Sequence, residues 1–80
     1  MASRANLAEK KRLLSLLRQM RLDAGLRQED LAEKLGEPQS FVSRYESGER
    51  RLDVLELRQI SKVLGVSLTE FVRRLDGDSK

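Results

Sequence analysis

Five glycines divide this chain into segments of helical length, and this punctuation constrains the fold more than any other feature. Each follows a stretch whose apolar residues recur every three or four positions: Gly25, Gly36, Gly48, Gly65 and Gly77. Glycine is favoured just past a helix end because it adopts the left-handed conformation without a Cβ clash. The sequence therefore predicts helices at residues 5–24, 28–35, 39–47, 54–64 and 68–75. No sustained alternation of apolar and polar residues predicts a strand, so we expect an all-α fold.

Start signals support the last two helices. Asp53 and Glu56 have the spacing of a capping box, in which each residue's side chain accepts a hydrogen bond from the other's backbone. Ser67 and Glu70 repeat that spacing before the fifth helix. Both pairs indicate where a helix begins.

The apolar stripes of the predicted helices indicate one core within a single domain spanning residues 1–80. The inward positions are Leu13, Leu17, Met20, Ala24, Leu31, Ala32, Leu35, Val42, Tyr45, Val54, Leu57, Ile60, Leu64, Leu68, Phe71, Val72 and Leu75. Three leucines of the long first helix are surplus to its stripe: Leu7, Leu14 and Leu16. They either widen the contact with the core or face a partner chain.

Composition argues against most enzyme and metal chemistry. The chain has no cysteine and no histidine, so the usual zinc ligands, thiol nucleophiles and neutral-pH proton shuttles are missing. No calcium-loop spacing and no glycine-rich phosphate loop occurs in the sequence. We therefore expect no metal, no cofactor, no small-molecule ligand and no enzymatic activity.

Nothing in the sequence predicts export or membrane insertion, so we expect a cytoplasmic protein. No run approaches the ~20 apolar residues that span a bilayer, and no signal-peptide core follows the start. The net charge of +3 is uneven, because residues 1–27 carry +5, residues 28–51 carry −2 and residues 52–80 carry zero. This bias is weak evidence for nucleic-acid binding, since a charged solvated surface explains it about as well.

Residues 27–48 predict a helix-turn-helix. Two short helices flank a turn of three residues, 36–38, which suits helices that cross steeply. With Val42 and Tyr45 inward, the outward face of the third helix consists of Gln39, Ser40, Ser43 and Arg44. Gln pairs well with the edge of adenine, Arg with guanine and Ser with either. The alternative, that these side chains form only a solvated face, stays open on the pattern alone.

The stretches QEDLAEKLG and QSFVSRYESG, at residues 28–36 and 39–48, resemble the phage-repressor-like helix-turn-helix family. This family includes the lambda and 434 repressors and the xenobiotic-response-element (XRE) regulators. The similarity covers about residues 13–75 and is specific because it extends across four helices. It implies a five-helix lambda-repressor-like DNA-binding domain, here with an extended first helix, whose third helix lies in the major groove.

The resemblance also implies roles for individual residues. Base contacts are implied for Gln39, Ser40 and Arg44, with Ser43 beside them. Phosphate contacts are implied for Gln28 at the start of the second helix, and for Ser47, Arg50 and Arg51 after the third. Arg21 and Glu46 match a pair that in relatives forms a buried salt bridge between the first and third helices.

The chain departs from the family pattern in three places. Ser40 and Ser43 are short, so base reading is expected to depend more on Gln39, Arg44 and DNA shape. Arg27 stands where Ser, Thr or Asn usually caps the second helix, which forfeits a cap worth about 0.5–2 kcal/mol. It is a candidate phosphate contact instead. Pro38 replaces the usual cap of the third helix, although its fixed φ suits the first helical turn.

These features together predict a transcriptional regulator, specifically a repressor, whose partner is double-stranded DNA. One recognition helix reads few base pairs, so useful affinity calls for a homodimer on an inverted repeat with half-sites about 34 Å apart. Candidate dimer contacts are Leu7, Leu14, Phe71 and Leu75. The alternative is a protein-interaction module, such as an antitoxin or a bridging coactivator, and exposed surplus leucines would favour it.

Overall fold

Five α-helices make up the regular structure of the computed structural model, which describes residues 4–77 and, from residue 7 onwards, their side chains. They are α1 (Arg4–Asp23), α2 (Gln28–Leu35), α3 (Gln39–Ser47), α4 (Val54–Val63) and α5 (Leu68–Leu75). No strand occurs within this range. The all-α prediction, with a long first helix, is confirmed, and each helix end lies within one residue of its predicted position. None of the described helices is long and apolar enough to cross a membrane.

Glycines end α2 and α3 by the predicted mechanism. Gly36 and Gly48 have φ angles of 72° and 89°, in the left-handed region. The next residue in each case donates its N–H back to the helix, from Glu37 to Ala32 O and from Glu49 to Arg44 O, both at 2.9 Å. This bonding satisfies carbonyls that a helix end would otherwise leave without partners. It also fixes the direction in which the chain leaves each helix.

The capping box predicted for α4 is complete, whereas the one predicted for α5 is half formed. Asp53 accepts from the Glu56 N–H at 2.8 Å, and Glu56 Oε1 accepts from the Asp53 N–H at 2.9 Å. Ser67 accepts from the Glu70 N–H at 3.0 Å. The Glu70 carboxylate does not return this bond; its two oxygens pair with Arg73 and Arg74 further along α5, each at 3.1 Å.

All five helices contribute side chains to one core. The buried apolar residues are Leu17, Met20, Leu31, Ala32, Val42, Tyr45, Ile60 and Phe71. A ring of half-buried leucines, valines and Phe41 packs around them. The core therefore holds α3 by the side opposite to its predicted DNA-contacting face.

Three residues that the sequence placed in the core do not lie there. Ala24 is exposed because α1 ends at Asp23, so this position lies in the following turn. Val54 is 63 % exposed and Val72 is 42 % exposed, because neither of these helix positions faces the other helices. Phe71 lies in the core, as its place in the inward stripe predicts, and its complete burial leaves no exposed side-chain surface for the dimer contact that was also predicted for it.

The basic stretch of α1 braces two other helix ends. Arg12 donates to the carbonyl of Leu75 at 2.8 Å and to that of Arg74 at 3.2 Å, at the end of α5. Lys10 Nζ lies 3.4 Å from the carbonyl oxygen of Gly48, just past the end of α3. Cations are favourable at helix carboxyl ends, where unpaired carbonyls carry partial negative charge. The extended half of α1 is thus positioned against the ends of both α3 and α5.

Candidate nucleic-acid interface

The outward face of α3 presents short or planar polar groups. Gln39, Ser40 and Arg44 are exposed, and Ser43 is half-buried. The first turn of α3 contains no acidic residue. Within the described part of the chain, no ion pair or hydrogen bond occupies the Arg44 guanidinium. The four predicted base-contacting residues therefore share one accessible face that lacks a carboxylate.

The inward face of α3 is anchored by Val42 and Tyr45, both fully buried. Burial raises the pKa of the Tyr45 phenol well above its usual value, so the ring stays neutral at any physiological pH. The Tyr45 hydroxyl has no hydrogen-bond partner among the described residues. Apolar packing thus fixes α3 through its inward face, while its polar outward face remains accessible to solvent.

The Arg21–Glu46 pair is present and joins α1 to α3. Arg21 Nε and Nη2 donate to the two oxygens of Glu46, at 2.7 and 3.0 Å, and both side chains are at least nine-tenths buried. The hydrogen bond to Glu46 raises the pKa of Arg21. Arg21 Nη1 also donates to the carbonyl of Leu26, at 2.8 Å, before α2 begins. One guanidinium therefore connects α1, the turn before α2, and α3.

Gln28 belongs to the same network. Its amide Nε2 donates to Glu46 Oε1 at 3.0 Å, and its side chain is half-buried. The amide predicted to contact a phosphate is thus oriented by a carboxylate of α3. The start of α2 is consequently connected to α3 by a side-chain hydrogen bond.

Arg27 lies at the start of α2, where two carboxylates hold it. Its Nε and Nη2 donate to Asp30, both at 3.1 Å, and Nη1 pairs with Glu29 at 3.2 Å. Asp30 also accepts from the Arg27 backbone N–H at 2.9 Å. These contacts lower the pKa of Asp30, chiefly through the Arg27 guanidinium. Asp30 therefore forms the reciprocal half of a capping box, whereas the bond that a Ser or Thr side chain at position 27 would accept from the first turn of α2 is not made.

The last residue of α3 and the loop that follows it contain three of the predicted phosphate contacts, which have different neighbours. Ser47 Oγ donates to the carbonyl of Arg44 at 3.0 Å and accepts from the Glu49 N–H at 3.4 Å, so it is fixed on the backbone. Arg51 is exposed. Arg50 pairs with Glu56 of α4 at 2.8 Å. Sequence reasoning identified Glu56 only as a helix cap and missed this second role.

The remaining dimer candidates differ in accessibility. Leu7 is 56 % exposed, whereas Leu14 and Leu75 are half-buried. Leu14 reaches the end of α3, where a Cβ on Gly48 would lie 3.5 Å from its Cδ1. The most exposed large apolar side chain described is Leu55, at 68 %, beside Val54 in the first turn of α4. Sequence reasoning missed this pair because the helical stripe placed Val54 inward.

Comparison with known proteins adds independent observations. A model of the helix-turn-helix family matches residues 17–71. An XRE-family like protein from Pseudomonas syringae pv. tomato str. DC3000 has a similar structure, with a TM-score of 0.86 and 38 % identity over 95 % of this chain and 93 % of that one. A mutant of the restriction-modification controller protein C.Esp1396I has a TM-score of 0.80 and 31 % identity, over 98 % and 94 % of the two chains. No curated protein matches the sequence.

Proposed function

The chain belongs to the XRE-type helix-turn-helix family, and from that premise we propose that it regulates transcription by reading a specific sequence of duplex DNA with α3. The observation that carries the proposal is the outward face of α3, which is accessible, polar and free of carboxylates. A controller protein among the similar structures supports a regulatory role. In this proposal the helix-turn-helix of residues 27–48 acts within a single domain.

Base reading is assigned to the polar side chains on the outward face of α3. Arg44 has five N–H donors and no internal partner among the described residues, so it suits bidentate pairing with the O6 and N7 of guanine. Gln39, the first residue of α3, is suited to the edge of adenine. Ser40 and Ser43 reach less far, so DNA shape contributes to specificity at their positions.

Phosphate binding is assigned to groups at the start of α2 and after α3: Arg27, Gln28, Ser47 and Arg51. Gln28 is the best supported, because its bond to Glu46 ties a phosphate-facing amide to the base-reading helix. Phosphate contacts of this kind set the register of a protein on the duplex without reading sequence. The buried network around Glu46 would therefore fix the phosphate-binding start of α2 relative to the base-reading face of α3.

A homodimer on an inverted repeat completes the proposal. The nine residues of α3 span about 13 Å, enough for only a few base pairs. Two copies related by a two-fold axis would read half-sites about one helical turn, or 34 Å, apart. We assign the dimer contact to the exposed pair Val54 and Leu55 on α4. Bound in this way, the protein would repress by occupying sites that polymerase needs.

Selection of bound duplexes from a random pool tests this function directly. We expect an inverted repeat whose half-sites are separated by one turn of the helix. The selected duplex should bind at least ~10³-fold more tightly than a scrambled one at physiological salt. Equal affinity for the two duplexes would contradict sequence-specific regulation.

The protein-partner alternative depends on the surplus leucines of α1 and has weaker support. Leu16 packs against the core and Leu14 is half-buried, which leaves Leu7 as the exposed member of the three. Single exposed apolar side chains are ordinary on protein surfaces. Among the described side chains, the three surplus leucines therefore offer an antitoxin or coactivator partner only one exposed side chain.

A further inference from the structure

The loop of residues 48–53, between α3 and α4, is held by an arginine whose contacts the proposed function does not use. Arg50 Nη1 and Nη2 donate to the two carboxylate oxygens of Glu56, at 3.1 and 2.8 Å. Nη1 also donates to the carbonyl of Arg51 at 2.9 Å. A guanidinium that meets a carboxylate through two N–H groups is fixed in orientation as well as in place. Arg50 is therefore bonded to its own chain, with 40 % of its side chain exposed.

The same guanidinium also contacts α3. Arg50 Cζ lies 4.6 Å from the centroid of the Phe41 ring. Phe41 in turn meets the buried ring of Tyr45 edge-on, with the centroids 5.6 Å apart. A cation over an aromatic face is held by the negative potential of the ring. The loop is thus connected through Arg50 to the anchored side of α3.

Glu56 connects this contact to the start of α4. Its Oε1 accepts both from Arg50 and from the backbone N–H of Asp53, the latter at 2.9 Å. Asp53 accepts from the Glu56 N–H in return. One carboxylate therefore caps α4, closes the end of the loop and holds Arg50 on Phe41.

We propose that Phe41, Arg50 and Glu56 form a clamp that fixes the loop of residues 48–53 relative to α3, and that all three are positioning residues for DNA binding. The inference rests on the proposed function, because the clamp's task is to present Arg51 to phosphates while α3 reads bases. It gives Arg50 a different role from the phosphate contact that the family resemblance implies.

Glu56 provides a test in which the two roles of Arg50 predict opposite signs. If Arg50 were a phosphate ligand, Glu56 would compete with DNA for it, and removing the Glu56 charge would tighten binding. If the clamp positions the loop, removing that charge loosens the loop and weakens binding. The sign of the change therefore separates the two roles.

The variant Glu56→Gln isolates the ionic part of the clamp. Gln serves in a capping box as Glu does, so the start of α4 is retained. We expect the dissociation constant for the selected operator to rise about tenfold, because a charge-assisted bidentate contact is replaced by a neutral one. Phe41→Leu keeps an apolar side chain but removes the aromatic face, and we expect a smaller loss, ~3-fold, in the same direction.

Glu49→Gln is the matched control. Glu49 is exposed in the same loop, and within the described residues its side chain makes no contact with Arg50. The substitution removes the same charge near DNA, so binding should stay unchanged or tighten slightly. The clamp is contradicted if Glu56→Gln binds as tightly as Glu49→Gln or more tightly. It is also contradicted if Arg50→Gln lowers the salt dependence of binding as much as Arg51→Gln does.

Amide hydrogen exchange without DNA separates failure of the clamp from failure of the proposed function. We expect Glu56→Gln to increase exchange within residues 48–53 while α2 and α5 keep their protection. Unchanged exchange in the loop overturns the clamp even if the protein binds DNA specifically. Wild-type protein that does not distinguish operator from scrambled duplex contradicts the proposed function, whatever the exchange result.

Discussion

Arg44 and Arg51 carry the same charge, but we expect their alanine variants to lose different aspects of DNA binding. Arg44→Ala should cost about 1–3 kcal/mol of discrimination at one base position, because it removes a bidentate base contact. Arg51→Ala should weaken binding to every duplex and lower the slope of log K against log salt by up to ~0.9 per lost phosphate contact. Titrations of the operator and its single-base variants at several salt concentrations measure both effects. Uniform weakening by Arg44→Ala would remove that residue from the base-reading set.

Ser61 offers a second prediction at a single residue. Its side chain is completely buried, and its hydroxyl has no hydrogen-bond partner among the described residues. Because a buried, unpaired polar group costs about 1–3 kcal/mol, Ser61→Ala should raise the free energy of unfolding by an amount of that order. Denaturant unfolding measures the change. Tyr45→Phe should act in the same direction, and a loss of stability in either variant would show that its hydroxyl is bonded.

Residue pairs were predictable from sequence only where a local or family rule linked them. The Asp53–Glu56 cap follows from a spacing of three residues, and the Arg21–Glu46 pair follows from the family resemblance. The contact between Arg50 and Phe41 follows no such rule, because it depends on how the loop folds back over α3. Contacts of this kind depend on tertiary geometry, which the spacing of residues in a single sequence does not reveal.

At the scale of the element, helix ends were predictable because their signals are local. Glycines in the left-handed conformation end α2 and α3 at the predicted residues. The burial of side chains near helix ends was less predictable, as Val54 shows. The apolar stripe of a helix predicts which way a side chain points, but burial also requires that another helix packs against that turn.

The start of α2 is expected to make stability depend on pH. The pKa of Asp30 is lowered by Arg27, so its ionised form is favoured in the folded protein. Its contribution is present above the usual carboxyl pKa, about 4, and is lost as the pH falls through the lower folded-state value. Asp30→Asn should therefore lose less stability on acidification than the wild type. Thermal unfolding between about pH 6 and pH 2 measures the pH dependence of stability, with Glu33→Gln in the middle of α2 as the control. Parallel pH profiles for Asp30→Asn and the wild type would contradict the role of Asp30.

At the scale of the molecule, every other helix except α5 makes a polar contact that bears on α3. Arg21 reaches it from α1, Gln28 from α2, and Glu56 from α4 through Arg50. Packing against the core fixes the position of α3. The polar contacts fix its orientation relative to the groups assigned to phosphates. The fold therefore holds one short helix from several sides, which is what the proposed reading of bases in a groove would require.

Assembly of two copies is the last property expected of the whole molecule. Leu55→Ser should leave the fold intact, because this side chain is 68 % exposed. A two-fold interface applies the substitution twice, so the dimer dissociation constant should rise roughly tenfold or more. Sedimentation over a range of concentrations measures this change, and on the inverted repeat the variant should occupy half-sites independently.

Leu7→Ser is the matched control, since it removes a leucine of similar exposure, 56 %, from the far end of α1. If Leu7→Ser dissociates the dimer and Leu55→Ser does not, the interface lies on α1 and the assignment to α4 is wrong. If neither variant changes a dimer that the wild type forms, neither surface holds the interface. A wild type that stays monomeric both free and on the inverted repeat would contradict the dimer itself, because one α3 would then have to supply all of the specificity.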